Sequence, residues 1–474
     1  MKNEQSSGVS RRNAVKSAGL LLASGGLARG VAPTGSANTF SEPAQSLKLV
    51  DDVDVIVCGA GPAGVAAAIS AARTGASVRL FEAHGCLGGI WTAGLLGYLI
   101  DFDKPGFTRE LVRKLRERDA HRGKGQTGLT YEPEEMKVLL EELCKAAGIK
   151  IQLHTRVAAA YRDGGRLRTI VTESKAGRQA WRAKVFIDTT GDGDLGAQSG
   201  CEWEIGQAAD CPCQPMSMTA MLVVKDAKEL AHCIHPSGTG HGKDNGATKR
   251  AFLAEIRRAG FDPSYGMPTM FPVRDNLVLV MINHEYGIKP FDIERVTEAT
   301  LRARAEIHGI VHGLRKLGGP WEGIQIAATP EQIGIRDGRR IRGRYTVKAE
   351  DLVKGARHVD SVVRPTFTVD IHALSLEANK KAAYSNGGVR MKPYDIPLRA
   401  LIARDVDGLM MAGRCISGDF ISHASYRVTG NAVAMGEAAG VTSALAASGR
   451  VMPHEVEWKQ VGSILAKMRS EKSG

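Results

Sequence analysis

Short β-branched apolar runs and alanine-rich stretches alternate along the chain. Val53-Asp54-Val55-Ile56-Val57-Cys58 predicts a buried parallel strand. Residues 65–73 are alanine-rich and predict a helix, with Gly75 suited to the position just past its end. Val78-Arg79-Leu80-Phe81 predicts the next strand, closed by Glu82. A meander of short strands is expected from Val157 through 167–171 to 181–185, with turns such as Asp163-Gly164-Gly165 between them. After residue 206 the pattern changes. Strands at 218–224 and 277–283 mix with helical stretches at 247–258 and 293–317. Residues 409–414 predict a last core strand, 415–427 a loop, and 429–447 a long alanine-rich helix.

The join between the first strand and helix carries a specific chemistry. Gly59-Ala60-Gly61-Pro62-Ala63-Gly64 follows the strand at once. In such a turn Gly59 permits the tight bend and Gly61 admits a pyrophosphate close to the backbone. Gly64 lets helix and strand pack. The helix N-terminus offers free N–H groups and its positive dipole end to phosphates. Glu82, ending the second strand, is placed for a ribose diol. This context predicts an α/β protein: a Rossmann-type dinucleotide-binding domain with an inserted α+β substrate or cap domain. The fingerprint alone leaves the choice of dinucleotide open.

Composition narrows the class. The 474 residues exceed one simple core. Apolar content of 43% and charged content of 24% are an ordinary folded balance. No run of apolar residues is long enough to span a bilayer. The net charge of +12 suits an acidic substrate or anionic partner, and equally plain solubility. No nucleic-acid module accompanies it. The eight cysteines form no CxxC, so no zinc ribbon, thioredoxin-like centre or other metal site is expected. Cys211-Pro212-Cys213 is the one close pair and reads as free thiols in a loop.

Residues 1–37 read as an address. Ser10-Arg11-Arg12-Asn13-Ala14-Val15-Lys16 precedes a short, mild apolar stretch, and Gly35 and Ala37 suit a signal-peptidase site. The order resembles the bacterial twin-arginine export signal. It implies delivery of a folded protein to the periplasm, with a mature start near Asn38.

Further segments separate the dinucleotides. Gly88-Gly89, in Cys86-Leu87-Gly88-Gly89-Ile90-Trp91, follows Glu82 closely, and Val157 opens the meander. Thr190-Gly191 ends the strand that starts at Val185, and Thr429-Gly430-Asn431 opens the last long helix. With GAGPAGVAAA, CLGGIWTAG, DTTGDGDLGA, TPEQIGIRDGRRIRGRY, Asp370-Ile371-His372 and AGRCISGDFISHASYRVTGNAVAMGEAAG, the chain resembles the FAD-dependent oxidoreductases. These are related to the flavoproteins that include fumarate reductase and thiazole-forming enzymes. The likeness runs from Val53 to Ala447. It departs at Asp337-Gly338, where the family more often carries Glu-Thr. The resemblance implies FAD, with contacts from Gly59, Gly61, Pro62, Ala63, Gly64, Glu82 and Ala83. It extends them to Gly88, Gly89, Val157, Thr190, Gly191, Gly413, Asp419, Thr429, Gly430 and Asn431. A helix N-terminus aimed at the flavin would stabilise its reduced, negative form.

Four residues are candidates for the substrate chemistry. His423 is an acid/base of suitable type just before that helix, and Arg427 suits a substrate carboxylate or oxygen. Arg336 and Arg340 stand in a run of five arginines between 336 and 344 and are expected to face the cleft. His372 is a further candidate of the same kind.

The expected domains are 50–205 with 395–450 for the cofactor, 206–394 for the insertion, and 451–474 for a C-terminal helix and tail. The gly-rich stretch 237–246 is expected to be a mobile loop near the site. The activity expected is oxidation of a small polar metabolite, with a quinone, redox protein or oxygen as electron acceptor. Reduction of an activated C=C bond and a purely electron-carrying role stay open. No second glycine fingerprint points to a nicotinamide site.

Overall fold

A computed structural model describes residues 39–122, 128–207, 213–236 and 245–470. The expected export signal and most of the loop expected at 237–246 lie outside the described residues.

Five parallel strands form the central sheet: β1 (Val55–Cys58), β2 (Val78–Phe81), β3 (Lys150–Gln152), β4 (Val185–Asp188) and β5 (Leu409–Met411). Their spatial order is β5-β4-β1-β2-β3. Val55 pairs with both Val78 and Val185, so the β-branched run stands at the centre. Both faces are covered, which is why these strands read as unbroken apolar runs.

Helix α1 (Pro62–Arg73) leaves β1 through the glycine turn. Helices α2 (Phe420–Tyr426) and α3 (Thr429–Gly449) follow β5. Residues of α3 from Gly430 to Ala444 are buried without a polar face, so its sequence shows no amphipathic stripe. α3 lies directly on α1. A Cβ at Gly436 would sit 2.2 Å from the Ala63 carbonyl oxygen, and one at Gly440 the same distance from that of Ala67. Small residues on both helices are the condition for this approach.

The meander expected after Val157 forms an antiparallel sheet of Arg156–Asp163, Arg166–Ser174 and Gly177–Arg182. A separate antiparallel sheet joins Thr269–Arg274, Leu277–Met281, Thr219–Val223 and Gln325–Ala328, with helices Asn245–Arg258 and Ile293–Leu317 packed nearby. Its core runs from Met216 to Ile333. From Ile341 onward buried residues including Val347, Tyr394 and Val406 belong instead to the core around the central sheet. Arg340–Ile341 pairs with Trp203–Glu204, which brings the chain back to the cofactor side. Core membership thus groups residues after Ile341 with the central sheet.

Two local expectations change. The loop expected at 415–427 contains α2, started by the Asp419 side chain accepting from Ser422 N at 2.7 Å. Cys213 is disulfide-bonded, not a free thiol, while Cys211 lies outside the described residues. No helix among the described residues is long and apolar enough to cross a membrane.

Candidate active site

A cavity of about 690 Å³ opens at the carboxyl ends of β1 and β4. That is the position where open α/β sheets bind ligands. The cavity runs from the glycine turn to a wall made by the insertion and by residues 367–372.

At the first end lie Gly59, Gly61, Pro62 and Ala63, with Glu82 and Ala83 beside them. Nothing stands within 4 Å of where a Gly61 Cβ would be, so the cavity comes right up to the backbone there. Gly64 is not in the wall. Its Cβ would fall 1.8 Å from the Gly59 carbonyl oxygen, which makes it a packing glycine that holds the turn. Glu82 is buried, and its two oxygens accept from Ala60 N at 2.7 Å and His84 N at 3.0 Å. Each oxygen keeps a lone pair for a further donor such as a ribose hydroxyl.

Val157, Gly89, Thr190, Gly191, Gly413 and Thr429 also line the cavity. The Thr190-Gly191 turn is held by Asp188, which accepts from Thr190 N, Thr190 Oγ1 and Gly196 N. Burial raises the Asp188 carboxyl to about 6 against these hydrogen bonds. The N-termini of α1 and α3 thus meet at one cavity, and both direct positive dipole ends into it.

Besides Gly64, four expected cofactor contacts do not line the cavity. Asp419 commits its other oxygen to Ala349 N at 2.8 Å, so it is a cap and a brace. Gly430 is pressed against the Asp101 carbonyl, 1.9 Å from where its Cβ would be. Gly88 does not line the cavity and takes a left-handed turn, φ 106°, before Gly89. Asn431 lies under the cavity rather than in its wall. It is fully buried, and neither its Oδ1 nor its Nδ2 has a partner. Orphaned polar atoms at this helix start fit a polar ring edge lying near it. With the open space at Gly61 and the free lone pairs of Glu82, the residues present fit FAD.

The other end holds the polar chemistry. Arg336 and Arg427 line the cavity, as expected, and His372 and Asp370 stand with them. Arg427 Nη2 donates to the Asp370 carbonyl at 2.9 Å and lies 3.3 Å from Asp370 Oδ2. His372 Nε2 is 3.2 Å from the same carboxylate. Burial would raise Asp370, but His372, Arg427 and Arg336 outweigh it and hold its carboxyl well below the usual range. His372 is lowered to about 4 by burial and by Arg336, against the pull of Asp370. It is therefore neutral at neutral pH. With Nε2–H turned to Asp370, its lone pair is on Nδ1, which has no partner.

His423 and Arg340 do not reach the cavity. His423 is completely enclosed, its ring edge-on to Tyr426 and its Nδ1 3.3 Å from Asp337 Oδ1. Arg340 donates to the carbonyls of Gly418 and Gly206 and ties loops together. Sequence order placed His423 just before the flavin-side helix and Arg340 in an arginine run expected to face the cleft. Only packing shows that they point behind the wall.

Ser217 in the wall, and Gln214 and His284 behind it, were announced by no motif. Gln214 Oε1 accepts from His372 N at 3.0 Å and from Arg427 Nη2 at 3.3 Å. Ser217 Oγ accepts from Arg336 Nη1 at 2.8 Å. His284 packs on Tyr265, ring centroids 4.1 Å apart. Each is a lone polar residue on an irregular stretch, without spacing that would mark it. Among the described residues no cluster of His, Cys, Asp and Glu is arranged to hold a metal ion.

No curated protein matches the sequence significantly. Among solved structures, a geranylgeranyl bacteriochlorophyll reductase-like protein from Thermoplasma acidophilum is similar at 14% identity and a TM-score of 0.44, over 89% of this chain and 82% of that one. The flavin-dependent brominase Bmp2, as a triple mutant, is similar at 12% identity and 0.42, over 88% and 84%. The flavin-dependent monooxygenase PieE, in complex with FAD and substrate, is similar at 14% and 0.42, over 63% and 52%. The sequence profile described as FAD dependent oxidoreductase matches residues 54–465, and the chain belongs to that family of FAD-dependent enzymes.

Proposed function

We propose that this enzyme is a dehydrogenase that oxidises a C–OH or C–H centre of a small polar metabolite. One observation carries the reading: Asp370, His372, Arg336 and Arg427 share one cavity with the dinucleotide turn. FAD, when bound, supplies the two-electron acceptor. Gly61, Glu82, Thr190 and the start of α3 would hold it.

The protein's own part is orientation and one proton. Arg427, fixed by Asp370 and Gln214, lines the cavity and would offer its guanidinium to a substrate oxygen. His372, in the cavity wall, is the proton acceptor, and Asp370 stabilises the charge the ring gains. A histidine that stays unprotonated at neutral pH suits proton removal better than proton donation. This favours oxidation over reduction of an activated C=C bond. It also speaks against a pure electron carrier, which needs no such wall.

The twin-arginine pattern supports export, and a quinone, a redox protein or oxygen would then take the electrons. Cell fractionation tests this: the protein belongs in the periplasm, and Arg11→Lys with Arg12→Lys should retain it in the cytoplasm.

The activity is tested by anaerobic bleaching of flavin absorbance with sugars, polyols and hydroxy acids. Bleaching by one class supports the dehydrogenase. No bleaching by any, with reoxidation of reduced flavin by an enoate, replaces it with the reductase.

A further inference from the structure

Arg336 is a buried cation whose hydrogen bonds all go to neutral groups. It is 9% exposed and lines the cavity. Its Nη1 donates to the Pro215 carbonyl at 2.7 Å and to Ser217 Oγ at 2.8 Å, and its Nη2 lies 3.4 Å from His284 Nε2. His284 is held as a neutral acceptor. Its Nδ1 lies 3.3 Å from Tyr286 Oη, and the Tyr286 hydroxyl donates to the Ser264 carbonyl at 2.8 Å. Nδ1 must then carry the ring proton, which leaves the Nε2 lone pair facing Arg336. Burial and Arg336 itself keep His284 from becoming a cation.

No carboxylate of the described residues forms an ion pair with Arg336. The two that act on its charge are engaged elsewhere. Asp370 is shared by Arg427 and His372. Asp337 accepts from Gln214 N and Nε2 and faces His423. The carboxylates Asp192 and Asp194 are paired with Arg414 and Arg339. Lys249, partly buried over the Tyr384 ring, adds another positive charge on the Asp370 side. Asp370 and Asp337 lie near enough to favour the Arg336 charge but make no ion pair with it, so its fork stays open to a partner, and a guanidinium fork matches a carboxylate in two places at once.

We infer that Arg336 is the seat of a ligand carboxylate, so that the metabolite taken into this cavity is a small organic acid. The inference rests on reading the cavity as a substrate chamber and adds the substrate class. The relay Ser264–Tyr286–His284 and Ser217 hold the guanidinium in place.

The test uses the FAD-loaded full chain at constant ionic strength. Acetate, lactate and succinate are titrated against acetamide and lactamide, and the flavin absorbance and thermal midpoint are followed. Carboxylates should bind saturably and the amides should not. Arg336→Gln should weaken carboxylate binding about 30-fold or more with flavin content unchanged. Equal binding of amides and carboxylates, or unchanged binding by Arg336→Gln, overturns the inference. Loss of FAD from Arg336→Gln with carboxylate binding intact also overturns it, since the anion would then be the cofactor's. If Arg336→Gln does not fold, Ser217→Ala serves, and it should weaken carboxylates about 3-fold. No change there overturns the seat. The two readings fail separately. Carboxylates that bind through Arg336 but never bleach the flavin sink the dehydrogenase and keep the seat. A neutral polyol that bleaches it, with no carboxylate competing, does the reverse.

Discussion

Gln214 grips Asp337 twice, through its backbone N at 2.7 Å and its side-chain Nε2 at 3.1 Å. The side-chain oxygen of the same glutamine accepts from His372 N and Arg427. His423 stands behind Asp337. A buried histidine and carboxylate thus position the substrate wall through one amide, without touching the cavity.

This arrangement predicts that Asp337→Asn destabilises the fold by about 3 kcal/mol, because an amide replaces the acceptor that Gln214 and His423 face. Urea denaturation measures it. Gln214→Ala should slow flavin reduction by substrate and leave flavin content unchanged. Full activity in that variant removes Gln214 as a positioning residue.

The glycine turn offers a paired test. Gly64→Ala drives a Cβ into the Gly59 carbonyl and should give misfolded or colourless protein. Gly61→Ala meets no protein atom within 4 Å, so its circular dichroism and apoprotein thermal midpoint should be unchanged. Its methyl group points into the space assigned to the cofactor, so its FAD affinity should fall at least 10-fold, roughly the effect of a modest steric clash. Normal FAD affinity in Gly61→Ala would show that the cofactor keeps away from this turn.

The state of His372 predicts a pH profile. The substrate half-reaction should stay level across the neutral range and decline only as pH approaches about 4. A decline centred on the ordinary 6.5 would mean a solvated histidine and would remove His372 as the base. His372→Ala should slow the half-reaction by about 100-fold or more.

Stability should depend on pH for a related reason. His372 and His423 are each lowered from 6.5 to about 4, so between those values the unfolded chain binds more protons than the folded one. Their contribution is complete above 6.5 and is lost as pH falls toward 4, at most about 3 kcal/mol each. Asp337, lowered to about 2 by His423 and Gln214 against its burial, adds a loss at still lower pH. Asp188, raised to about 6 by burial, works in the opposite direction and recovers part of it. Denaturation midpoints should therefore fall when pH is taken from 7 to 5, a window chosen to lie roughly between the two histidine values. A rise in the midpoint over this range would contradict the buried, neutral assignment of both rings.

The sequence by itself determined the dinucleotide half of this protein. Val55–Cys58, the glycine turn and Glu82 are contiguous, and local geometry dictates each. The alanine-rich helix after Thr429 was legible for the same reason, because small residues at every turn allow close packing. The substrate end was not legible in this way. Arg336 and the Asp370–His372 segment, with Gln214 and His284 bonded behind them, come from separate stretches, and only the packing of two cores brings them together. Residue type and position before the last long helix put His423 ahead of His372. Tertiary structure separated them, since one ring is walled in behind Asp337 and the other faces the cavity. Chain order specifies neighbours along the backbone, whereas which side of a wall a side chain occupies is set by long-range packing.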